Sequence, residues 1–81
     1  MSESSPMREL RQELGLSIRE LAQAIGCSYA ALSACELGHY TGIPATWRDS
    51  LESLGEDYES LHEAQRAWRR RQGANAAAGG R

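Results

Sequence analysis

Residues 16–38 read LSIRELAQAIGCSYAALSACELG and carry the start and stop signals of two short helices joined by a very tight turn. Ser17 and Glu20 form the pattern of a capping box, in which the serine hydroxyl and the glutamate side chain each bind a backbone amide at the start of a helix. Gly26 favours the left-handed conformation that ends a helix, and Ser28 is a natural N-cap for the next one. The sequence therefore predicts a helix, a minimal corner and a second helix.

The two predicted helices of this segment cover residues 18–25 and 29–37. Two short helices that meet at a steep angle need a small residue where their backbones approach, and Ala22 meets this requirement. Their inner faces are supplied by apolar side chains, namely Leu21, Ile25, Leu32 and Cys35. Caps, small residue and apolar faces together predict a helix-turn-helix unit over 18–37.

The rest of the chain predicts three further helices. The first covers residues 6–14, because Ser5 can cap its start and Gly15 can end it. A fourth helix is expected at about 45–54, and a fifth at about 58–72. Large and small apolar residues recur at helical spacing in the fifth helix, at Tyr58, Leu61, Ala64 and Trp68.

Composition favours a single all-α domain. The chain has 81 residues, contains no phenylalanine, and is rich in good helix formers such as Leu, Ala, Glu and Arg. The Ala/Gly-rich end is typical of a disordered tail. We therefore expect a flexible N-terminus at 1–5, a five-helix domain at 6–72 and a disordered tail at 73–81.

Charge and hydropathy exclude a membrane protein. No stretch approaches the roughly 20 apolar residues that cross a bilayer, and the first residues lack the basic start and apolar run of a signal peptide. We therefore expect a cytoplasmic protein without a membrane partner.

The net charge of −2 is unusual for a DNA-binding protein, since most have a basic footprint. Every basic residue is an arginine, however, and the acidic residues concentrate at 52–63.

Four short stretches carry a resemblance to a known family: LSIRELA at 16–22, IGCS at 25–28, LS at 32–33 and ELG at 36–38. Together they resemble the Xre/Cro family of lambda-repressor-like domains. Members of that family are prokaryotic and phage transcription regulators that bind operators, commonly as dimers, and a related subset are antitoxins. The resemblance implies a five-helix lambda-repressor-like bundle that acts as a sequence-specific DNA-binding regulator, namely a repressor.

The resemblance also implies which residues contact double-stranded DNA. The helix at 29–37 would lie in the major groove with its outward N-terminal residues at base edges. The start of the preceding helix would bind a phosphate, at a position where relatives often carry Gln and this chain carries Ile18. The implied contact residues are Ile18, Arg19, Ser28, Tyr29, Ala30, Ser33, Ala34, His39, Tyr40 and Thr41.

The outward face of the predicted third helix lacks Arg, Lys, Gln and Asn. Those side chains make the bidentate base contacts that contribute about 1–3 kcal/mol of discrimination each. Tyr29 and Ser33 can each form a hydrogen bond, while Ala30 and Ala34 offer methyl groups. Two interpretations follow: DNA binding of modest intrinsic specificity, helped by dimerisation or DNA shape, or a face that binds a protein partner, as in an antitoxin or anti-regulator.

No arrangement of residues indicates catalysis, a metal or a cofactor. Cys27, Cys35, His39 and His62 lack the spacing of a zinc site, and we expect both cysteines to pack as small hydrophobic residues. Neither histidine has a nucleophile or a second titratable group placed to act with it. The sequence therefore predicts a protein that is not an enzyme.

Several large or charged side chains have more than one interpretation. Trp47 and Trp68 fit core packing better than base stacking, and Arg69–Arg71 fit either phosphate binding or a helix end that complements the helix dipole. Glu36 is expected to fix the end of the third helix through a structural contact. The fifth helix offers more large residues than one small core needs, which predicts a homodimer. The candidate interface residues are Tyr58, Leu61 and Trp68.

Overall fold

The computed structural model describes the backbone of residues 4–79 and the side chains of residues 4–72. Within 4–79 it contains five α-helices and no strand, which confirms the all-α, five-helix prediction. The helices are α1 (Pro6–Leu14), α2 (Ile18–Ile25), α3 (Tyr29–Glu36), α4 (Arg48–Ser53) and α5 (Tyr58–Gly79). No helix in this range is both long and apolar enough to span a bilayer.

The predicted capping signals define the ends of α1 and α2. Ser5 accepts a hydrogen bond from the Arg8 amide at 3.2 Å, and Ser17 forms the complete capping box with Glu20. Gly26 ends α2 with a φ of 87°, which a residue with a side chain rarely adopts. Both helices therefore begin and end where the sequence predicted.

The predicted fourth helix is divided into two parts. Ala45–Trp47 forms one turn of 3-10 helix before α4 begins at Arg48. Neither Pro44 nor Trp47 supplies a side-chain cap. The backbone amides at the start of the predicted helix therefore have no side-chain acceptor, and a 3-10 turn, with its tighter hydrogen bonds, forms there instead.

The fifth helix is longer than predicted. It ends at Gly79 rather than near Gln72, so the backbone at 73–79, where we expected disorder, is helical. Alanine has the highest helix propensity and a single interior glycine costs only about 1 kcal/mol, so this composition is compatible with a helix. Ser5, expected within a flexible N-terminus, is buried. Residues 1–3 and 80–81 lie outside the described residues, and the division into a domain and two tails stays a prediction.

The core lies where α1, α2 and α3 meet α4, the loop and 3-10 turn before it, and the start of α5. Its buried apolar side chains are Met7, Leu10, Leu21, Ala22, Ile25, Leu32, Cys35, Ile43, Trp47, Leu51 and Tyr58. Full burial of one large aliphatic side chain contributes about 1.5–3 kcal/mol. This core holds α2 and α3 in a fixed relation.

A buried glutamine connects α5 to two other helices. Gln65 is fully buried, accepts a hydrogen bond from the Met7 amide at 3.3 Å and donates to the Cys35 carbonyl at 2.8 Å. Ala64, one of the apolar residues at helical spacing in α5, is exposed, and its neighbour Gln65 is the buried residue. Gln65 takes the inward position because it can satisfy an amide at the start of α1 and a carbonyl at the end of α3.

Candidate nucleic-acid interface

Three residues form the corner between α2 and α3. The amides of Gly26 and Cys27 both donate to the Ala22 carbonyl, at 2.8 and 3.0 Å. Ser28 then caps α3 by accepting a hydrogen bond from the Ala31 amide at 3.1 Å. The chain therefore passes from α2 to α3 through only these three residues.

The corner gives α3 one buried side and one outward face. Leu32 and Cys35 point into the core and are fully buried. The outward face carries one aromatic and three small residues, Tyr29, Ala30, Ser33 and Ala34. Tyr29 is 52% exposed, Ala30 is exposed, and the other two are half-buried. The start of α3 is thus the part of the helix most accessible to a large ligand.

Arg19 and Tyr29 form a pair at this exposed end. The guanidinium carbon of Arg19 lies 5.6 Å from the centroid of the Tyr29 ring, which is a cation–π arrangement. Two residues that the resemblance placed at DNA, one from α2 and one from α3, are therefore brought together on one surface.

The start of α2 has less capacity for an anion than the resemblance implied. The Ser17 amide donates to Glu20 Oε1 at 2.9 Å, and the Glu20 amide donates to Ser17 Oγ at 3.1 Å. A phosphate would consequently meet the amides of Ile18 and Arg19, which no earlier turn can satisfy. The Ile18 side chain is half-buried and packs against the core, so it serves packing.

The loop that follows α3 has two exposed side chains, and a third side chain that packs against the fold. His39 and Thr41 are exposed. Tyr40 is half-buried and lies edge-on to Trp47, with ring centroids 6.5 Å apart and planes at 67°. Trp47 is itself buried, as the core interpretation predicted. Of the three loop residues predicted to lie near phosphates, Tyr40 is therefore the one engaged in the fold.

Residues of α5 hold this loop in place. The Ile43 amide donates to His62 Nδ1 at 3.0 Å, and the Tyr58 hydroxyl donates to the Ile43 carbonyl at 2.7 Å. The Tyr58 and His62 rings stack with centroids 5.3 Å apart. A side chain at Gly42 would overlap the imidazole of His62. The sequence does not reveal this role, because a lone histidine on a helix gives no sign of a backbone partner on a distant loop.

Two of the three predicted dimer residues belong to the interior of one copy. Tyr58 and Trp68 are each 6% exposed, and the Trp68 ring lies so close to Gly38 that a Cβ there would be 2.9 Å from Cζ3. Burial, reinforced by the Glu59 carboxylate, raises the pKa of Tyr58. Two of the large side chains that suggested an interface therefore pack inside a single copy. Of the three candidate residues, Leu61 alone is half-exposed.

Glu36 makes the structural contact that the sequence predicted. It is 7% exposed, and its carboxylate accepts a hydrogen bond from Arg11 Nε at 2.8 Å. This contact joins the last turn of α3 to α1. The sequence identified Glu36 but did not identify its partner, which lies 25 positions earlier.

The two thiols differ in burial and in acidity. Burial raises the pKa of Cys35 to about 12, and the nearby Glu36 and Cys27 reinforce the shift. Burial also raises the pKa of Cys27. A protonated thiol is a poor nucleophile and a poor metal ligand. Among the described residues no group of His, Cys, Asp and Glu could hold a metal ion. Cys35 packs in the core as expected, and Cys27 packs partly against it.

Comparison with known families agrees with this geometry. Residues 7–45 match a family model described as helix-turn-helix. The match begins in α1, contains α2, the corner and α3, and ends at the 3-10 turn before α4. Comparison with curated proteins and with solved structures found no match.

Proposed function

Because residues 7–45 match a helix-turn-helix family model, which supports an Xre/lambda-repressor-like DNA-binding domain, we propose that this chain represses transcription by occupying operator DNA with α3. The observation that carries this proposal is the exposed start of α3, where Tyr29 stands beside Arg19. Occupation of an operator requires no catalytic group, and the family is one of regulators rather than enzymes.

The outward face of α3 would make the base contacts. Tyr29 and Ser33 would each form one hydrogen bond to a base edge, and Ala30 and Ala34 would pack against thymine methyl groups. Because these contacts are few, a single copy would discriminate weakly between sequences. DNA shape and deformability would then contribute to specificity.

Phosphate contacts would orient the domain on the duplex. Arg19 and the backbone amides at the start of α2 would bind the phosphates nearest Tyr29. Ser28 lies at the start of α3, and His39 and Thr41 lie just after its end. All three would lie near the phosphate backbone of the DNA. The exposure of Arg19, His39 and Thr41 supports this assignment.

We propose that the protein binds a palindromic operator as a homodimer. A second copy doubles the number of base contacts, which compensates for the few contacts made by each α3. The half-sites would lie about 34–36 Å apart, which is one turn of DNA. Tyr58 and Trp68 are buried within one copy, so the interface would use other surface, including Leu61. A DNA-bound regulator of this kind would act in the cytoplasm of a prokaryotic cell.

A protein partner is the second candidate function. Leu37 is 65% exposed at the end of α3, and no charged side chain lies on the outward face. Such an apolar face suits an antitoxin or anti-regulator that binds another protein. A stoichiometric partner that Tyr29→Ser and Leu37→Ser both release, together with absence of DNA binding by the free chain, would support this alternative.

Selection of bound duplexes from a random pool at low salt tests the proposed function. The proposal predicts enrichment of a short motif repeated with palindromic symmetry at one-turn spacing. A Tyr29→Ala variant should enrich a weaker or altered motif, whereas an Ala64→Gln variant, changed on the exposed side of α5, should enrich the same one. Absence of any bound DNA at low salt would contradict the proposal.

A further inference from the structure

The charges of α5 are separated along its length. Acidic residues precede and begin the helix, and basic residues follow in its middle, between positions 66 and 71. The acidic residues are Glu56, Asp57, Glu59 and Glu63, and the basic residues are Arg66, Arg69, Arg70 and Arg71. The contacts of this basic segment show where it lies in the fold.

The basic segment of α5 lies beside the end of α3 and the loop that follows it. Arg69 Nε donates to the Gly38 carbonyl at 2.9 Å, and Gly38 directly follows the last turn of α3. A Cβ at Gly42 would lie 3.0 Å from Arg66 Cγ. Both arginines are exposed. They form one ridge, here called the α5 arginine ridge, along the loop at 38–43.

Residues 28–45, the segment that contains α3 and the loop after it, carry no arginine or lysine of their own. Their one acidic residue, Glu36, is buried and paired with Arg11. A duplex that accepts α3 presents phosphates on both sides of the groove. Their neutralisation must therefore come from neighbouring elements, and Arg19 supplies it only at the start of α3.

We propose that Arg66 and Arg69 bind DNA phosphates at the end of α3 opposite to Arg19. This inference rests on the proposed function and names a contact outside the segment that matches the family. The eight residues of α3 span about 12 Å, which is close to the width of about 12 Å of the major groove. Cations at both ends of α3 would therefore face the two phosphate backbones that border the groove.

The present partners of the two arginines are compatible with a phosphate ligand. Arg66 pairs with Glu63 at 3.6 Å, and both side chains are about half or more exposed, so the pair contributes little and a phosphate can replace it. Arg69 is oriented through Nε by the Gly38 carbonyl. A guanidinium fixed in this way loses less conformational freedom when its terminal nitrogens bind a phosphate.

Replacement of both arginines by glutamine tests the ridge. Glutamine removes the charge but keeps an amide donor that can reach the Gly38 carbonyl. The affinity of Arg66→Gln/Arg69→Gln and of the unchanged chain for DNA is measured from 50 to 200 mM salt, on a selected duplex and on a random one. Arg48→Gln is the matched control, because Arg48 is exposed and pairs with Glu52 of α4 and with Glu59 at the acidic start of α5.

The proposal predicts a shallower salt dependence for the double variant. Each lost phosphate contact should reduce the slope of log K against log salt by about 0.9, so the double variant should lose about 1.8. Affinity at low salt should fall about tenfold or more on both duplexes, because phosphate contacts carry no sequence information. Arg69→Lys should retain most of the slope, and Arg48→Gln should leave it unchanged.

Three results would overturn the proposal. A double variant that keeps its thermal midpoint and the full slope would show that the ridge does not contact DNA, while the proposed function stands. An equal loss of slope in Arg48→Gln would show a general effect of charge. Absence of DNA binding by the unchanged chain would instead overturn the proposed function and this inference together.

Discussion

Arg11 of α1 and Glu36 of α3 form a two-point ion pair, with Nε–Oε2 at 2.8 Å and Nη2–Oε1 at 3.3 Å. Only 15% of the arginine side chain and 5% of the glutamate side chain are exposed. Arg11 also donates through Nη1 to the Leu16 carbonyl at 3.2 Å, just before α2. One side chain therefore connects α1, the entry to α2 and the end of α3, and so fixes the helix that we assign to DNA.

Removal of Arg11 should destabilise the fold strongly. Arg11→Ala leaves the Glu36 carboxylate buried without its partner, which costs about 3–5 kcal/mol. Urea unfolding at neutral pH measures this loss. The double variant Arg11→Met/Glu36→Leu should recover much of the stability because it removes both charges. An Arg11→Ala chain within 0.5 kcal/mol of the unchanged protein would show that the pair contributes nothing.

Replacement of the buried Gln65 should lower the free energy of unfolding almost as much as replacement of a buried apolar residue. Gln65→Leu leaves the buried Met7 amide without its partner, which costs about 1–3 kcal/mol, while the Cys35 carbonyl keeps its hydrogen bond from the Gly38 amide. Ala64→Gln is the control. It adds a glutamine at the exposed position next to Gln65 and should leave the free energy of unfolding almost unchanged. Equal unfolding free energies for the two variants would be incompatible with the hydrogen bonds described.

Tyr29 variants should separate the roles of its ring and its hydroxyl. Tyr29→Phe keeps the ring beside Arg19 but loses one hydrogen bond, so affinity for a selected duplex should fall about threefold to tenfold. Tyr29→Ala should lose more. Neither change removes a cation, so the salt slope should stay constant in gel-shift titrations. Unchanged affinity in Tyr29→Ala would remove this residue from the interface.

Alkaline pH should weaken the fold through Cys35. The pKa of Cys35 is about 12 in the folded chain, against roughly 8.5 for an unfolded thiol. The folded state therefore retains a proton that the unfolded state loses, and stability that is complete below about pH 8.5 declines as the pH rises toward 12, by up to about 1.4 kcal/mol per pH unit. Urea midpoints at pH 7.5 and pH 10 measure the decline.

Cys35→Ala is the comparison for this pH dependence. The variant should be less stable at neutral pH because it leaves a small cavity, but its midpoint should fall less between pH 7.5 and pH 10. The same alkaline decline in both chains would assign the effect to other groups. Tyr58, whose pKa is also raised, is the group to examine in that case.

Local signals explain why the helix-turn-helix could be predicted so closely. Ser17, Glu20, Gly26 and Ser28 bind or turn the backbone within three or four positions of themselves, so their roles are readable from spacing alone. The bounds of α1 and α2 match the structure for this reason. The exposed Tyr29 followed from the same pattern, because the corner fixes which side of α3 is buried.

Long-range contacts explain what the sequence did not reveal. Gln65 meets Met7 across 58 positions, and His62 meets Ile43 across 19. No local pattern marks a polar residue on a helix as the partner of a distant backbone group. Trp68 had two open interpretations, core packing and a dimer interface, because its neighbour Gly38 could not be inferred from spacing. The length of α5 was underestimated because glycines were weighed more heavily than the alanines between them.

We assign to DNA the start of α3, where Arg19 stands beside Tyr29. This assignment can be tested by amide chemical shifts of the isotope-labelled chain, recorded as a selected duplex is added at low salt. We expect the largest shifts at Arg19 and at residues 28–33, with smaller shifts at 38–43. Shifts confined to the acidic start of α5, or no shifts at any duplex concentration, would contradict it.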